Sequence, residues 1–165
     1  MTAATTSRTA KVTLPADDQV LITREFNAPR HLVYKAWTTP ELVRRWWHAK
    51  RGEVTVVEID LRAGGKWRYV MVTPDGFEVA FHGEYREIVP DERIVMTEVY
   101  EGAPGGDEGA VVNTVTFAET DGRTTLTIIV QAPSKVVRDA IIESGMEAGM
   151  QDAYDLLEEV ARSLR

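Results

Sequence analysis

Along this chain the spacing of apolar residues switches between strand and helix periods. Gln19 to Phe26 (QVLITREF) alternates, with Val20, Ile22 and Arg24 facing opposite to Leu21, Thr23 and Glu25, and reads as a strand. Asn27-Ala28-Pro29 gives a polar cap with proline in a first helical turn, where a missing N–H is tolerated. His31 to Trp37 reads as a short helix carrying Leu32, Val33, Ala36 and Trp37. Thr39-Pro40-Glu41 repeats the start signal for a second short helix with Leu42, Val43, Trp46 and Trp47. From Glu53 the period is two. Strands are expected at Val54 to Ile59, Lys66 to Thr73, Phe77 to Ile88, Ile94 to Tyr100, Val111 to Phe117 and Thr124 to Val130. Between them lie the turn clusters Ala63-Gly64-Gly65, Pro74-Asp75-Gly76, Pro90-Asp91-Glu92 and Thr120-Asp121-Gly122. Glu101 to Ala110 is a glycine-rich loop, long enough to be a lid or merely slack.

The last stretch organises the rest. Pro133-Ser134 opens a run to Arg165 with no further proline. Ile142, Met146, Met150, Ala153, Leu157, Val160 and Leu164 recur every three or four residues, one apolar stripe on one long helix. Gly145 and Gly149 lie four apart within it, each followed by methionine (Met146, Met150). A mid-helix glycine costs about 1 kcal/mol relative to alanine, so either a strand backbone passes close or room is left for a guest. The flexible thioethers beside them suit a surface that adapts to varied partners.

Element order then constrains the fold. A strand, two short helices, consecutive antiparallel hairpins and a long helix make an α+β domain. Six or seven strands must curl, and the only element long enough to cover their apolar face is the last helix. A curved sheet gripping a helix leaves a wedge of space, the kind of place ligands occupy. Which side chains face that wedge depends on register. A two-residue Asp75-Gly76 loop would pair Tyr69 with His82 and turn His82 inward; an odd-length loop or a bulge turns Phe77, Val79, Phe81 and Tyr85 inward with Trp67, Tyr69 and Met71. Burying four apolar side chains at about 1.5–3 kcal/mol each outweighs one preferred turn, so the longer loop is expected.

Composition narrows the function classes. The 165 residues suit one domain, with residues 1–18 expected to be a disordered tail and 19–165 the folded ligand-binding domain. A net charge of −7 argues against nucleic acid as a partner. The absence of cysteine excludes disulfides, thiol catalysis and thiolate metal sites. No apolar run is long enough to span a membrane and the first residues lack a signal-peptide core, so a cytoplasmic protein is expected.

Catalytic signatures are missing. His31, His48 and His82 lie on three elements with no HExxH pair, and no serine sits in a GxSxG elbow. No metal and no cofactor are expected. Glu98 is the acidic residue to single out, because it alternates with Ile94, Met96 and Tyr100; inside a cavity it would bind a polar group or titrate high. Arg44 to Arg51 (RRWWHAKR) is a basic, aromatic cluster in an acidic chain, with Trp47 assigned to packing and Trp46 to a cavity mouth.

Four stretches carry a family likeness: ITREFNAPRHLVYKAWTTPELVRRWW (Ile22 to Trp47), EIDLRAGGKWRYVM (Glu58 to Met71), GEYREIVPDERIVMTE (Gly83 to Glu98) and SGMEAGM (Ser144 to Met150). They resemble the family like the activator of heat-shock protein 90 ATPase, within the START and birch-pollen-allergen-like (SRPBCC, helix-grip) superfamily, over roughly residues 19–164. The resemblance implies a helix-grip fold with a hydrophobic cavity between sheet and long helix, taking an apolar or aromatic small molecule. One scaffold in that superfamily serves carriers, receptors, cyclases and co-chaperone domains, so it supplies no substrate. Its co-chaperone members carry a separate amino-terminal chaperone-binding domain, for which this chain has no room; a chaperone partner is therefore not favoured.

Non-catalytic small-molecule binding is the favoured function, with no catalytic residue assigned. Its cavity residues are expected to be Trp46, Trp67, Tyr69, Met71, Phe81, Tyr85, Met96, Glu98, Gly145, Met146, Gly149 and Met150. The alternatives are a cyclase- or hydrolase-type enzyme using Glu98, His82 or Tyr85, and a co-chaperone-like interaction domain. A homodimer is left open.

Overall fold

A computed structural model describes residues 9–102 and 109–165. One antiparallel sheet carries the strands β1 (Lys11–Thr13), β2 (Gln19–Phe26), β3 (Glu53–Ile59), β4 (Lys66–Val72), β5 (Glu78–Val89), β6 (Arg93–Tyr100), β7 (Val111–Thr120) and β8 (Arg123–Gln131). Their order across the sheet is β1-β2-β8-β7-β6-β5-β4-β3, so six neighbours from β3 to β8 form a meander and β2 closes onto β8. Helices α1 (Arg30–Thr38) and α2 (Pro40–Val43) follow β2, and α3 (Lys135–Glu143) and α4 (Met146–Ser163) end the chain. The sheet curls around α4, the α+β helix-grip architecture.

Eight strands replace the expected six or seven. The extra one, β1, falls inside the stretch read as a tail and pairs along β2 from Lys11↔Thr23 to Thr13↔Leu21. A side chain helps fix it there: the Gln151 amide on α4 both accepts from Ala10 N–H (3.0 Å) and donates to Ala10 C=O (2.8 Å), as a strand neighbour would.

The terminal helix is not continuous. Gly145 takes φ +80°, the left-handed region open to glycine, and there α3 stops and α4 starts. The stripe remains apolar across the break because Met150, Ala153, Leu157 and Val160 all lie buried on α4. The second short helix is only four residues, and Trp46 and Trp47 lie in the turns after it.

Inward faces follow from register. Tyr69 pairs with Phe81 and Met71 with Val79, so the loop between β4 and β5 has the longer, odd form and His82 points out beside Arg68. Phe77 does not join the inward set. It sits in that five-residue loop, before β5 begins, and is 56% exposed. The Thr120-Asp121-Gly122 turn is a tight hairpin in which Asp121 and Gly122 both take positive φ (52° and 77°) between paired Thr120 and Arg123. A register shift between Tyr85 and Glu87 bends β5. The glycine-rich loop, expected as a lid or merely as slack, lies largely outside the described residues.

Candidate functional site

The concave face of β4, β5 and β6 gathers most of the expected site. Trp67, Tyr69 and Met71 project from β4, Phe81, Gly83 and Tyr85 from β5, and Met96, Glu98 and Tyr100 from β6, because alternation and register put all of them on one side. Gly83 is the residue that lets this face close. The indole of Trp67, opposite it, reaches across to donate a 3.1 Å hydrogen bond to the Thr97 carbonyl. A Cβ on Gly83 would collide with that carbonyl oxygen and stand 2.7 Å from the indole nitrogen.

The two adjacent tryptophans, Trp46 expected at a cavity mouth and Trp47 expected in packing, turn to different surroundings. Trp46 is buried at the small helices, 5.3 Å from the Trp37 ring, with its indole N–H bonded to the Ala36 carbonyl at 3.0 Å. Trp47 instead leans over the sheet, edge-on to Tyr69 (5.4 Å) and Phe81 (5.9 Å). Successive residues in tight turns point in different directions, and the doublet alone did not say which would meet the strands.

On the helix side, Met150 is buried, Met146 half-buried and Gly145 exposed at the helix break. Neither glycine is crowded. A Cβ on Gly145 would meet nothing within 4 Å, and one on Gly149 would reach only the Arg51 guanidinium at 4.0 Å. Among the described residues no strand backbone passes close to them. Arg51 lies here because it bonds the Ala49 carbonyl and the Asp152 carboxylate (2.8 Å), tying the segment before β3 to the start of α4.

The polar centre of the concave face is Glu98. Its Oε1 accepts a 2.6 Å hydrogen bond from Asn113 Nδ2, on neighbouring β7. Burial raises the Glu98 carboxyl above the ordinary carboxylate range, and the Asn113 hydrogen bond opposes that rise in part. Its charge in turn helps to raise the Tyr69 and Tyr154 phenols, each pushed up chiefly by burial. The Tyr85 phenol is likewise raised mainly by burial. Asn113 and Tyr154 were not picked out from the sequence. Asn113 stands at an apolar phase of VVNTVTF, between Val111 and Val115, and that misplacement was the available signal.

Of the acid–base candidates of the enzyme alternative, Glu98 and Tyr85 share the concave face and His82 does not. His82 is on the convex face, 2.9 Å from Glu101, whose carboxyl is lowered to about 2 by hydrogen bonds from Arg68 and His82. Among the described residues no group of three His, Asp or Glu side chains could hold a metal ion. At the other edge of the sheet a groove of about 590 Å³ runs between β2 and α4. It is lined by Thr9, Arg24, Gln151, Asp155, Glu158, Glu159 and Arg162, and Arg24 is already engaged with Asp155 (3.3 Å) and Glu158 (3.6 Å). Every residue lining it is polar or charged.

The model of the family described as activator of Hsp90 ATPase homolog 1-like protein matches residues 27–162. The chain belongs to this family. Solved structures agree in fold: a Rhodobacter sphaeroides protein is 23% identical with a TM-score of 0.85, covering 93% of this chain and 99% of its own. A Mycobacterium smegmatis protein (25% identical, TM-score 0.80) covers 90% of this chain and 94% of its own. An Arthrobacter aurescens protein (26% identical, TM-score 0.81) covers 93% of this chain and 91% of its own. Among curated proteins none matches the sequence. The family fold is consistent with a ligand-binding or co-chaperone-like domain. No described helix is long and apolar enough to cross a membrane.

Proposed function

We propose that this domain binds an apolar or aromatic small molecule between the concave face of β4–β6 and the start of α4, without transforming it. The observation that carries the reading is accessibility where packing should have removed it. Trp47, Phe81, Met96 and Glu98 are only half-buried although they lie on the concave face among buried neighbours. Side chains set this deeply keep accessible surface when they border space and not each other. Glu98 belongs with them: the residue is half-buried, and burial raises its carboxyl above the ordinary carboxylate range. The uncrowded Gly149 and the adaptable Met146 and Met150 support the same reading from the helix side. Aromatic rings at one wall and thioethers at the other suit a flat, apolar guest.

The test is dye binding with a blocked site. An environment-sensitive apolar dye should bind the wild-type chain with a fluorescence rise, and Met96→Trp, which fills the space, should lose that signal while melting within a few degrees of wild type. A native mass spectrum of freshly purified protein should show a small-molecule adduct that Met96→Trp lacks. A wild-type chain that binds no dye, or a Met96→Trp chain that binds it equally, would sink the reading.

A further inference from the structure

We infer that the occupant of the concave site carries a protonated amine, held by Glu98 and Asn113, at the end of its apolar body. This rests on the small-molecule reading above and names the ligand's chemistry.

The argument is one of unmet acceptors. Asn113 is 5% exposed, and its Oδ1 has no hydrogen-bond partner among the described residues. Its amide is oriented by its neighbour: Nδ2 donates to Glu98, so the carbonyl must face the other way. A buried, unpaired carbonyl costs free energy unless something donates to it. Glu98 has the same need more strongly. Among the described residues its carboxylate receives the single hydrogen bond from Asn113 and no basic side chain stands against it. Charges drawn out of water are ordinarily paired, and among the described residues the buried ones are: Arg24 with Asp155 and Glu158, Arg138 with Asp139.

The groups around the pair do not fill the gap. Among the described residues no hydrogen bond from the Tyr69 or Tyr154 hydroxyl reaches Glu98 or Asn113, and the charge of Glu98 acts unfavourably on both phenols once they ionise. The site therefore presents two adjacent acceptors, one anionic, inside an aromatic and thioether surround. An ammonium group supplies the missing cation and has three N–H donors for two or more acceptors. A carboxylate head would face Glu98 with like charge. Aromatic faces such as Trp47 and Tyr69 add attraction for a cation and none for an anion.

The experiment is displacement of the apolar dye from the full chain by three probes sharing one body: 4-phenylbutylamine, butylbenzene and 4-phenylbutyrate. The amine should displace the dye at concentrations at least about tenfold below the acid, the scale of one charge-assisted hydrogen bond, with the uncharged probe between. Glu98→Gln should narrow the ratio of amine to butylbenzene affinity by about tenfold, and Asn113→Leu, which removes the unmet carbonyl without adding a charge, should narrow it in the same direction. If butylbenzene displaces the dye while the amine does no better than the acid, or Glu98→Gln leaves the ratio unchanged, the amine assignment is wrong and the cavity stands; an ordered water then satisfies Asn113. If the dye does not bind at all, both readings fall together.

Discussion

Gly83 shows how much one missing methyl group decides. The Trp67 indole can cross β5 to reach the Thr97 carbonyl on β6 only because Gly83, which lies between them, has no side chain. Gly83→Ala puts a carbon where the carbonyl oxygen already is. Overpacking of this kind costs about 1–3 kcal/mol, and the lost indole bond adds about 1 kcal/mol. For a chain of this size the melting temperature should fall by on the order of 10 °C, with a change in tryptophan fluorescence as Trp67 is displaced. An unaltered melting temperature would mean that the indole does not lie across this position. Glu98 and Asn113 make the complementary point: polar residues at apolar phases of their strands are where packing logic yields to something else.

Elements were legible where local pattern and tertiary demand coincide. The inward set of β4–β6 could be read because period-two alternation and apolar burial agree, and burial rightly overrode the turn that would have placed His82 inside. Strand β1 could not be read: Lys-Val-Thr is three residues long and depends on β2 and on Gln151, remote in sequence. The helix break at Gly145 was hidden for a related reason, since a left-handed residue keeps the stripe on the same side of the molecule. The two glycines of that region should now separate in experiment. At Gly145, with φ +80°, alanine is strained, and Gly145→Ala should lose about 1 kcal/mol or more. At Gly149, which is helical with only the Arg51 guanidinium at 4.0 Å, Gly149→Ala should gain about 1 kcal/mol. Thermal melts of the two variants should therefore move in opposite directions by roughly 2–4 °C each. Shifts of the same sign would contradict the helix boundary.

At the scale of the molecule, α4 is fastened by an apolar seam and by charge. Leu157 and Ala161 are fully buried, and Tyr154 packs edge-on to Phe26 at 6.1 Å. Arg24, 2% exposed on β2, reaches up to Asp155 and Glu158 and lies 4.7 Å over the Phe26 ring. Asp155 is largely solvated, but Glu158 is buried and also accepts from the Asn27 N–H at 3.1 Å, so the two ends of the pair are unequal. Removing Arg24 alone takes from buried Glu158 the guanidinium 3.6 Å away, and breaking such pairs costs about 3–5 kcal/mol. Arg24→Met keeps volume and should fall at the lower end, because Asn27 still donates. Glu158→Gln alone strands a buried guanidinium beside a solvated aspartate and should cost less. With both changes made, neither member of the buried pair carries a charge, and the double variant should be more stable than Arg24→Met alone. Urea unfolding followed by far-UV circular dichroism gives the cycle directly. A coupling of about 0.5–3 kcal/mol is expected, with unchanged m-values as a check that the native fold is retained. Additivity within about 0.5 kcal/mol would mean that Arg24 holds α4 through packing on Phe26 and through Asp155, and that the buried carboxylate is not what it neutralises.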